Sequence, residues 1–336
     1  MYRIAPFVRL GRIIDRILVD RPAVFDELVR LAQAENPWFT AENVRSTLTA
    51  ISEKMLQQEK LTQWLKVYPF ADSAPKNIGI VMAGNIPLVG FFDLLCVLVS
   101  GHRAYVKLSS KDRALMSRAI RALQHIDPTL TVLPFQENSP VQGVIATGNN
   151  NTNRYFSGLY SHIPHLLRGS RKSVALLTGG ESEADLRGLS HDVFDGFGMG
   201  CRSVSKIFVP AGYDLCALAE CLGQRNITHP NYVNAYRHHK ILLQMRGTSF
   251  IDGGFFLLRE CIGFSETLPE LIYTPYRSVE EAQQWITTND IHLQCVVTTA
   301  FEHPRRVDFG QAQHPELWDY PDGKDVMAFL RSIGSL

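Results

Sequence analysis

The sequence predicts an α/β protein whose parallel sheets are covered by helices on both faces. From Lys76 onward, short apolar runs alternate with amphipathic stretches of helical period. The runs are almost continuously hydrophobic, which is typical of parallel strands buried on both sides. The chain has 336 residues, enough for two domains at roughly 100–200 residues each.

The predicted elements follow from these patterns in chain order. Residues 1–70 are expected to be helical: Pro22 suits a first helical position, and Thr40 is expected to cap a long helix that ends at Tyr68. The predicted strands are 78–83, 104–108, 130–133, 143–147, 173–177, 205–209, 255–258, 271–275 and 293–299. The helices predicted among them are 87–100, 111–126, 150–160, 183–195, 213–223, 230–245 and 279–290, and a closing helix is expected at 326–333.

Composition argues against several classes of protein. Lys plus Arg (34) nearly balances Asp plus Glu (33), and the charges are mixed along the chain, so no nucleic-acid partner is expected. The six cysteines form no CxxC pair, which favours a reducing compartment. Arg and Asp interrupt every apolar stretch near the N-terminus, so no signal peptide is predicted, and the expected location is the cytoplasm.

One segment is long enough to span a bilayer. Residues 78–101 contain no Lys, Arg or Glu. The segment is interrupted by Asn85, Pro87 and Asp93, and we interpret it as a buried strand, turn and helix. No membrane span is therefore expected.

Common catalytic and phosphate-binding motifs are absent from the sequence. It contains no GxGxxG, GxxxxGK[ST], HExxH or GxSxG segment. Cys216 and Cys221 lack zinc-site spacing, and no histidine pair completes them, so no metal is expected.

Four junctions marked by glycine follow predicted strands. They contain Gly84-Asn85, Gly101 with the later Lys107–Ser110, Thr147-Gly148, and Gly179-Gly180. Parallel sheets bind ligands at the carboxyl ends of their strands, so these junctions are expected to contact a nucleotide. For Asn85 the alternative is a helix cap, and for Lys107 it is a lysine that points into solvent.

Cys201 is the candidate nucleophile. Glycines at positions 196, 198 and 200 allow close approach of the backbone to a ligand and expose the thiol at a turn. Structural cysteines more often lie inside apolar runs, as Cys96 and Cys295 do. The alternative is a cysteine that occurs in a glycine-rich loop by chance.

Five segments resemble, in chain order, motifs of the acyl-CoA reductases of the aldehyde dehydrogenase superfamily, such as the long-chain fatty acyl-CoA reductase of bacterial luminescence. They are AGNIPL (83–88), SGHRAYVKLSS (100–110), ATGNNN (146–151), LLTGG (176–180) and GFGMGC (196–201). They resemble the asparagine loop before the first cofactor helix, the Gly-Asn…Lys-Pro-Ser strand, the Thr-Gly-Ser turn, the Glu-Leu-Gly-Gly turn and the Gly-Gln-x-Cys nucleophile loop. The resemblance spans residues 76–299, about two thirds of the chain.

The resemblance implies an aldehyde dehydrogenase-like fold of two doubly wound parallel-sheet domains after a helical N-terminal segment. Residues 1–172 would form the nucleotide-binding domain and residues 173–300 the catalytic domain, while residues 301–336 would return to the first. The implied catalytic residues are Cys201 and Asn85. The implied cofactor contacts are Lys107, Ser109, Ser110, Thr147, Gly148, Gly179 and one or both of Glu260 and Glu266. NADP(H) is the expected cofactor, with NAD(H) as the alternative, because Ser110 replaces a glutamate of NAD-preferring members; Ser110 could instead cap the next helix.

A departure from the family pattern indicates the reaction. Leu177 occupies the position of the glutamate that activates water in hydrolytic members, so we expect reduction of an acyl-CoA or other acyl thioester to an aldehyde. The expected partners are this substrate and either a second copy of the chain or an acyl-transferring protein. One alternative is an acyl-phosphate reductase, for which Arg168, Arg171 and Lys172 could bind the phosphate, although a surface role is expected for them. The other is a non-catalytic subunit of the same fold.

Overall fold

The chain forms two compact units. A computed structural model describes residues 3–68, 74–148, 150–265 and 267–334, except for the side chains of Asn150 and Thr152. Unit 1 consists of Met1–Ser170 together with Pro315–Leu336, and unit 2 consists of Arg171–His314. The fold is α/β with a parallel sheet in each unit, as the sequence predicted.

Unit 1 contains a five-stranded sheet in the order β3-β2-β1-β4-β5, and every neighbouring pair is parallel. Its strands are β1 (Asn77–Val81), β2 (Arg103–Lys107), β3 (Val132–Pro134), β4 (Gly143–Thr147) and β5 (His165–Arg168). Its helices are α1 (Ala5–Asp20), α2 (Pro22–Glu35), α3 (Ala41–Ala50), α4 (Gln58–Leu65), α5 (Phe91–Val99), α6 (Arg113–Ile126), α7 (Asn150–Leu159) and α12 (Val326–Gly334).

Both faces of this sheet are buried. Ile80 and Ile145 belong to a large apolar cluster that includes side chains of the N-terminal helices, α5, α6 and α12. The alternate residues Val81 and Val144 belong to a second cluster with Phe156 of α7. Successive side chains of a strand point to opposite faces, so the sheet is doubly wound.

The long helix expected between Thr40 and Tyr68 is broken in the structure. α3 leads into a π-helical turn at Ile51–Met55, and α4 starts at Gln58. The Ser52 hydroxyl at this turn donates to the Gly11 carbonyl of α1. A contact between two helices therefore decides where the long helix is broken. The spacing of apolar residues within one helix carries no information about such a contact.

The C-terminal segment packs into unit 1. Glu316 accepts hydrogen bonds from Lys54 and Lys60, at 2.7 and 2.6 Å. Trp64 Nε1 donates to the Tyr320 hydroxyl at 2.7 Å. The chain enters unit 1 at Pro315, later than the expected residue 301, because Arg306–Val307 forms a strand in unit 2.

Unit 2 contains a seven-stranded sheet in the order β12-β11-β6-β7-β10-β9-β8, in which only the β8–β9 pair is antiparallel among the described residues. The strands are β6 (Lys172–Leu176), β7 (Val204–Pro210), β8 (Ile251–Asp252), β9 (Leu257–Glu260), β10 (Glu270–Tyr276), β11 (Leu293–Val297) and β12 (Arg306–Val307). The helices are α8 (Glu183–Phe194), α9 (Leu215–Gly223), α10 (Pro230–Met245) and α11 (Val279–Thr288).

Residues 78–101 fold as most of β1, a loop, and α5, as the sequence predicted. Within the described part of the chain, no helix combines the length and the apolar character that crossing a membrane requires.

Strand β5 was not predicted, and it places Arg168 in the interior. The strand pairs with β4, but only Leu166 and Leu167 lie between its polar ends, so it makes no apolar run. The surface role expected for Arg168 is wrong. Its side chain is 3% exposed, and its Nη1 donates to both carboxylate oxygens of Asp93 on α5 at 2.9 Å.

This buried ion pair gives a stability prediction. Arg168→Met leaves the buried Asp93 carboxylate without its cation and should lower the free energy of unfolding by about 3–5 kcal/mol. Removing both charges in Asp93→Leu/Arg168→Met should recover most of this loss. Urea unfolding measures both. Arg187→Met, which breaks the exposed Arg187–Glu183 pair, is the control and should cost less than about 1 kcal/mol. A double variant no more stable than Arg168→Met would contradict the assignment.

Candidate active site

The first group of candidate residues lies at the carboxyl edge of the unit 1 sheet. Val81 at the end of β1 is in register with Lys107 on β2 and with Ala146 on β4. The loops that follow these strands carry Asn85, Ser109 with Ser110, and Gly148. The edge includes the point between β1 and β4 where the strand order reverses, and ligands of doubly wound sheets bind at such points.

Two of these loops touch at Gly84. A Cβ atom added to Gly84 would lie 2.4 Å from Ser109 Oγ and 2.7 Å from Ser109 Cβ. Asn36 Nδ2 donates to the Gly84 carbonyl at 3.3 Å. This close contact therefore requires glycine at position 84. The contact holds the loop that contains Asn85 against the loop that contains Ser109. The Asn85 side chain is exposed.

A buried carboxyl group, which sequence analysis missed, fixes the same loop. Leu88 has a φ of 54°, in the left-handed region, and its N–H donates to Asp112 Oδ2 at 2.7 Å. Asp112 is 2% exposed, and burial raises its pKa to about 8, with a smaller contribution from the charge of Glu35. Asp112 is therefore protonated at neutral pH. An Asp before a helix resembles an ordinary cap, but here the side chain makes no cap hydrogen bond.

The other predicted cofactor contacts of unit 1 differ in exposure. Lys107 and Ser110 are exposed, and Ser109 and Thr147 are half-buried. Gly148 N donates to the Arg168 carbonyl at 3.1 Å, so this N–H already has a partner. Asn149 of the predicted ATGNNN motif lies outside the described residues.

In unit 2, the turn after β6 contains Leu177 and Gly179. The Leu177 side chain is fully buried, and its carbonyl accepts a hydrogen bond from the Tyr276 hydroxyl at 2.6 Å. Gly179 has a φ of 92°. The Glu181 carboxylate accepts from Thr178 Oγ1 at 2.8 Å and from Gly179 N at 3.0 Å. Glu181, which carries the carboxylate nearest to Leu177 in the sequence, therefore stabilises the turn through its hydrogen bonds.

The loop before Cys201 is strongly constrained. Gly196, Phe197 and Gly198 have φ values of 61°, 60° and 70°. Phe197 is thus a residue other than glycine in a left-handed conformation, and the centre of its ring lies 4.9 Å from that of the His229 ring. Cys201 follows this turn; it is reduced and exposed.

The backbone around Cys201 is anchored to the sheet. Ser173 Oγ on β6 donates to the Cys201 carbonyl at 2.9 Å and accepts from Cys295 N on β11 at 3.1 Å. Arg202 Nε donates to the Ala312 carbonyl. The Arg202 guanidinium, the charge next to Cys201 in the sequence, thus has a structural partner, and hydrogen bonds anchor the loop that carries the thiol.

Of the two candidate glutamates, Glu260 is among the described residues and Glu266 is not. Glu260 is exposed at the end of β9, with Tyr273 OH 3.5 Å from its Oε2, and Glu266 lies outside the described residues. The cofactor contacts of Glu260 and Gly179 stay predictions.

Lys206 on β7, which sequence analysis missed, is completely buried. Its Nζ donates to the carbonyls of Cys261, Ile262 and Gly263 at 2.8–3.1 Å. Burial lowers its pKa to about 8. Lys206 thus fixes the turn that follows Glu260. A single lysine inside an apolar run gave no sign in the sequence that it binds these carbonyls.

No group of three or more His, Cys, Asp or Glu side chains is arranged to hold a metal ion within the described ranges.

The fold of the chain is similar to that of solved structures. The NAD⁺ complex of an aldehyde dehydrogenase from Bacillus cereus aligns with a TM-score of 0.59 at 13% identity, covering 84% of this chain and 68% of that chain. The fold of this chain is that of the aldehyde dehydrogenases. Aldehyde dehydrogenase 21 from Physcomitrella patens, in complex with the reaction product succinate, aligns with a TM-score of 0.64 at 13% identity, covering 88% and 74%. An indole-3-acetaldehyde dehydrogenase complexed with NAD⁺ aligns at 0.62 and 13%, covering 84% and 68%.

No protein-family profile and no curated protein matches the sequence. At these identities the aldehyde dehydrogenase likeness concerns the fold.

The buried Asp112 gives a prediction of pH dependence. Its pKa rises from 3.8 to about 8 on folding, so the folded chain holds a proton that the unfolded chain releases between these values. The free energy of unfolding should therefore fall as the pH rises through this window. Asp112→Asn imitates the protonated side chain, and its stability relative to the wild type should increase by about 2–3 kcal/mol between pH 5.5 and 7.5.

The control for this measurement lies at the other end of α6. Hydrogen bonds from Thr129 lower the pKa of the half-buried Asp127, which stays ionised over this range. The difference in urea stability between Asp127→Asn and the wild type should be independent of pH. The same flat difference for Asp112→Asn would show that Asp112 is ionised in the folded chain.

Proposed function

We propose that the chain is an NAD(P)H-dependent acyl-thioester reductase, acting on an acyl-CoA, with Cys201 as its nucleophile. The observation that carries the proposal is an exposed, reduced Cys201 on a loop of left-handed residues, in a chain with the aldehyde dehydrogenase fold. The acyl donor could also be an acyl-transferring partner protein.

The first step uses Cys201 alone. Its thiolate attacks the thioester carbonyl carbon, a new C–S bond forms, and the bond to the departing thiol breaks, which leaves an acyl-cysteine. The oxygen that becomes negative in this step requires fixed N–H donors. The backbone N–H of Cys201 is one candidate, and the resemblance assigns the Asn85 amide as another.

A nicotinamide cofactor fits the residues of unit 1. The close contact with Ser109 leaves no room for a side chain at position 84 of the loop after β1, and Lys107 and Lys111 are exposed beside Ser110. Lys107, Ser109, Ser110, Thr147 and Gly148 would hold the cofactor. When bound, the reduced cofactor would supply a hydride to the acyl carbon; the bond from that carbon to Cys201 Sγ would then break, which releases the aldehyde and returns the thiolate.

The surroundings of Leu177 favour reduction of a thioester over oxidation of an aldehyde to an acid. A fully buried leucine cannot activate water, and the Glu181 carboxylate is held by the turn. Without a base that activates water, an acyl-cysteine can be reduced before it is hydrolysed.

Acyl-phosphate reduction is less well supported. Arg168, Arg171 and Lys172 were the candidates for binding the phosphate, but Arg168 is buried and paired with Asp93. A non-catalytic subunit would not need a constrained loop that exposes a thiol.

We expect Cys201→Ala to abolish both acylation and aldehyde formation, because alanine cannot form the acyl-enzyme. Intact-protein mass spectrometry after mixing with a chain-length series of acyl-CoAs detects the acyl adduct, and NADPH consumption measures reduction. Cys216→Ala, at another exposed cysteine of unit 2, is the matched control and should behave as the wild type. Near-normal turnover by Cys201→Ala would refute the assignment.

The cofactor preference is tested at Ser110. The N-cap of α6 is Asp112, so Ser110 is not the helix cap that the alternative required. We expect kcat/KM to be higher with NADPH than with NADH, because two exposed lysines attract the 2′-phosphate. Ser110→Glu should shift the ratio toward NADH by about tenfold or more through charge repulsion.

Ser46→Glu, at an exposed serine on α3, adds the same charge elsewhere and should leave the ratio unchanged. An unchanged ratio in Ser110→Glu would mean that the 2′-phosphate is bound away from this loop.

A further inference from the structure

We propose that Asp192 is a positioning residue for Cys201, and that it acts by holding residues 310–313 beneath the loop 200–203. The inference rests on the proposed role of Cys201 as nucleophile. All the contacts that carry it lie within unit 2.

Asp192 is completely buried in the last turn of α8 and binds residues 310–313 through three hydrogen bonds. Its Oδ2 accepts from Gly310 N at 2.7 Å, and its Oδ1 accepts from Ala312 N at 2.9 Å. Its backbone carbonyl accepts from Gln313 Nε2 at 3.3 Å. Both oxygens of one carboxylate are thus used to hold a segment outside the helices and strands.

The segment needs this support because its own backbone is irregular. Gly310 has a φ of 78°, and it crosses α8 so closely that a Cβ on Gly188 would lie 2.9 Å from Gly310 N. The residues 310–313 form no helix or strand, so their N–H groups find partners outside regular structure. Asp192 provides two of these partners.

The same segment contacts the residues that follow Cys201. The Ala312 carbonyl accepts from Arg202 Nε, and Gln313 Nε2 donates to Ser203 Oγ at 3.1 Å. Ser203 N donates to the Gly200 carbonyl at 3.1 Å, which closes the turn around Cys201. A shift of residues 310–313 would therefore act directly on Arg202 and Ser203, which follow the nucleophile, and through Ser203 on Gly200, which precedes it.

Removing the Asp192 carboxylate from water costs free energy. Its hydrogen bonds to residues 310–313 offset this cost, so they contribute to keeping the carboxylate in place. Burial raises the pKa of Asp192 to about 6, and the Gly310 and Ala312 N–H groups oppose this rise. The charge of Asp195 raises it further, and that of His191 lowers it. An apolar side chain would avoid the desolvation cost but would leave two N–H groups without partners.

The experiment compares Asp192→Ala, Asp192→Asn and Gln313→Ala with the wild type. Asp185→Asn is the matched control: Asp185 is half-buried and belongs to the capping box at the opposite end of α8, so this variant perturbs the helix but not residues 310–313. The rate at which iodoacetamide alkylates Cys201 is measured by peptide mass spectrometry relative to the exposed Cys216 of the same chain. The kcat and the KM for NADPH are measured with one acyl-CoA.

We expect kcat to fall by about tenfold to a hundredfold in Asp192→Ala and by less in Asp192→Asn, which keeps one acceptor oxygen. The KM for NADPH should change by less than about twofold, because the misplacement concerns the nucleophile. The ratio of Cys201 alkylation to Cys216 alkylation should change more in Asp192→Ala than in Asp192→Asn. Asp185→Asn should match the wild type in all three measurements.

Wild-type alkylation ratios in Asp192→Ala and Gln313→Ala would overturn the proposal, and so would an equal loss of kcat in Asp185→Asn. If Asp192→Ala does not fold, Gln313→Ala, which removes only the side-chain contacts to Ser203 and to the Asp192 carbonyl, decides the question. The alkylation ratio does not depend on turnover. A changed ratio in a chain that does not reduce acyl-CoA would contradict the proposed function while supporting the positioning role.

Discussion

The burial of β1 on both faces and along both edges is the constraint on which unit 1 depends. β2 and β4 pair with it in parallel, and its alternate residues Ile80 and Val81 belong to two different apolar clusters. Parallel neighbours require crossover connections, and these connections begin at the same carboxyl edge. The candidate cofactor residues of unit 1 are therefore brought to one edge of the sheet by the strand order, although they are distant along the chain.

Buried ionisable groups hold the irregular backbone next to the candidate residues. Asp112 fixes the loop that contains Asn85, Asp192 fixes the segment beneath the Cys201 loop, and Lys206 fixes the turn after Glu260. Each group is removed from water, and each compensates the desolvation cost by bonding to backbone N–H or C=O groups that no helix or strand satisfies. This recurring device gives loops the rigidity that catalysis requires of its reacting groups.

The neighbours of Cys201 and Leu177 indicate how chemistry could be divided within unit 2. A left-handed turn exposes the thiol, whereas the turn after β6 buries an apolar side chain and occupies its nearby carboxylate. In the proposed reaction, the first arrangement would favour acyl transfer to sulfur, and the second would disfavour hydrolysis of the acyl-cysteine. Arg168 is also occupied. Its guanidinium forms a buried ion pair with Asp93 inside unit 1 and is therefore not available to bind a phosphate.

Local patterns in the sequence determined the alternation of strands and helices, the glycine-marked junctions and the exposed position of Cys201, because apolar runs and glycines act within a few residues. Only the tertiary structure decided the break after α3, the strand β5, and the roles of Asp112, Arg168 and Asp192. The partners of these polar side chains lie far away in the chain, as in the bonds of Asp112 to Leu88 and of Asp192 to Gly310. A single polar residue has the same appearance in a sequence whether it faces water or a buried backbone group, since its partner is chosen by packing.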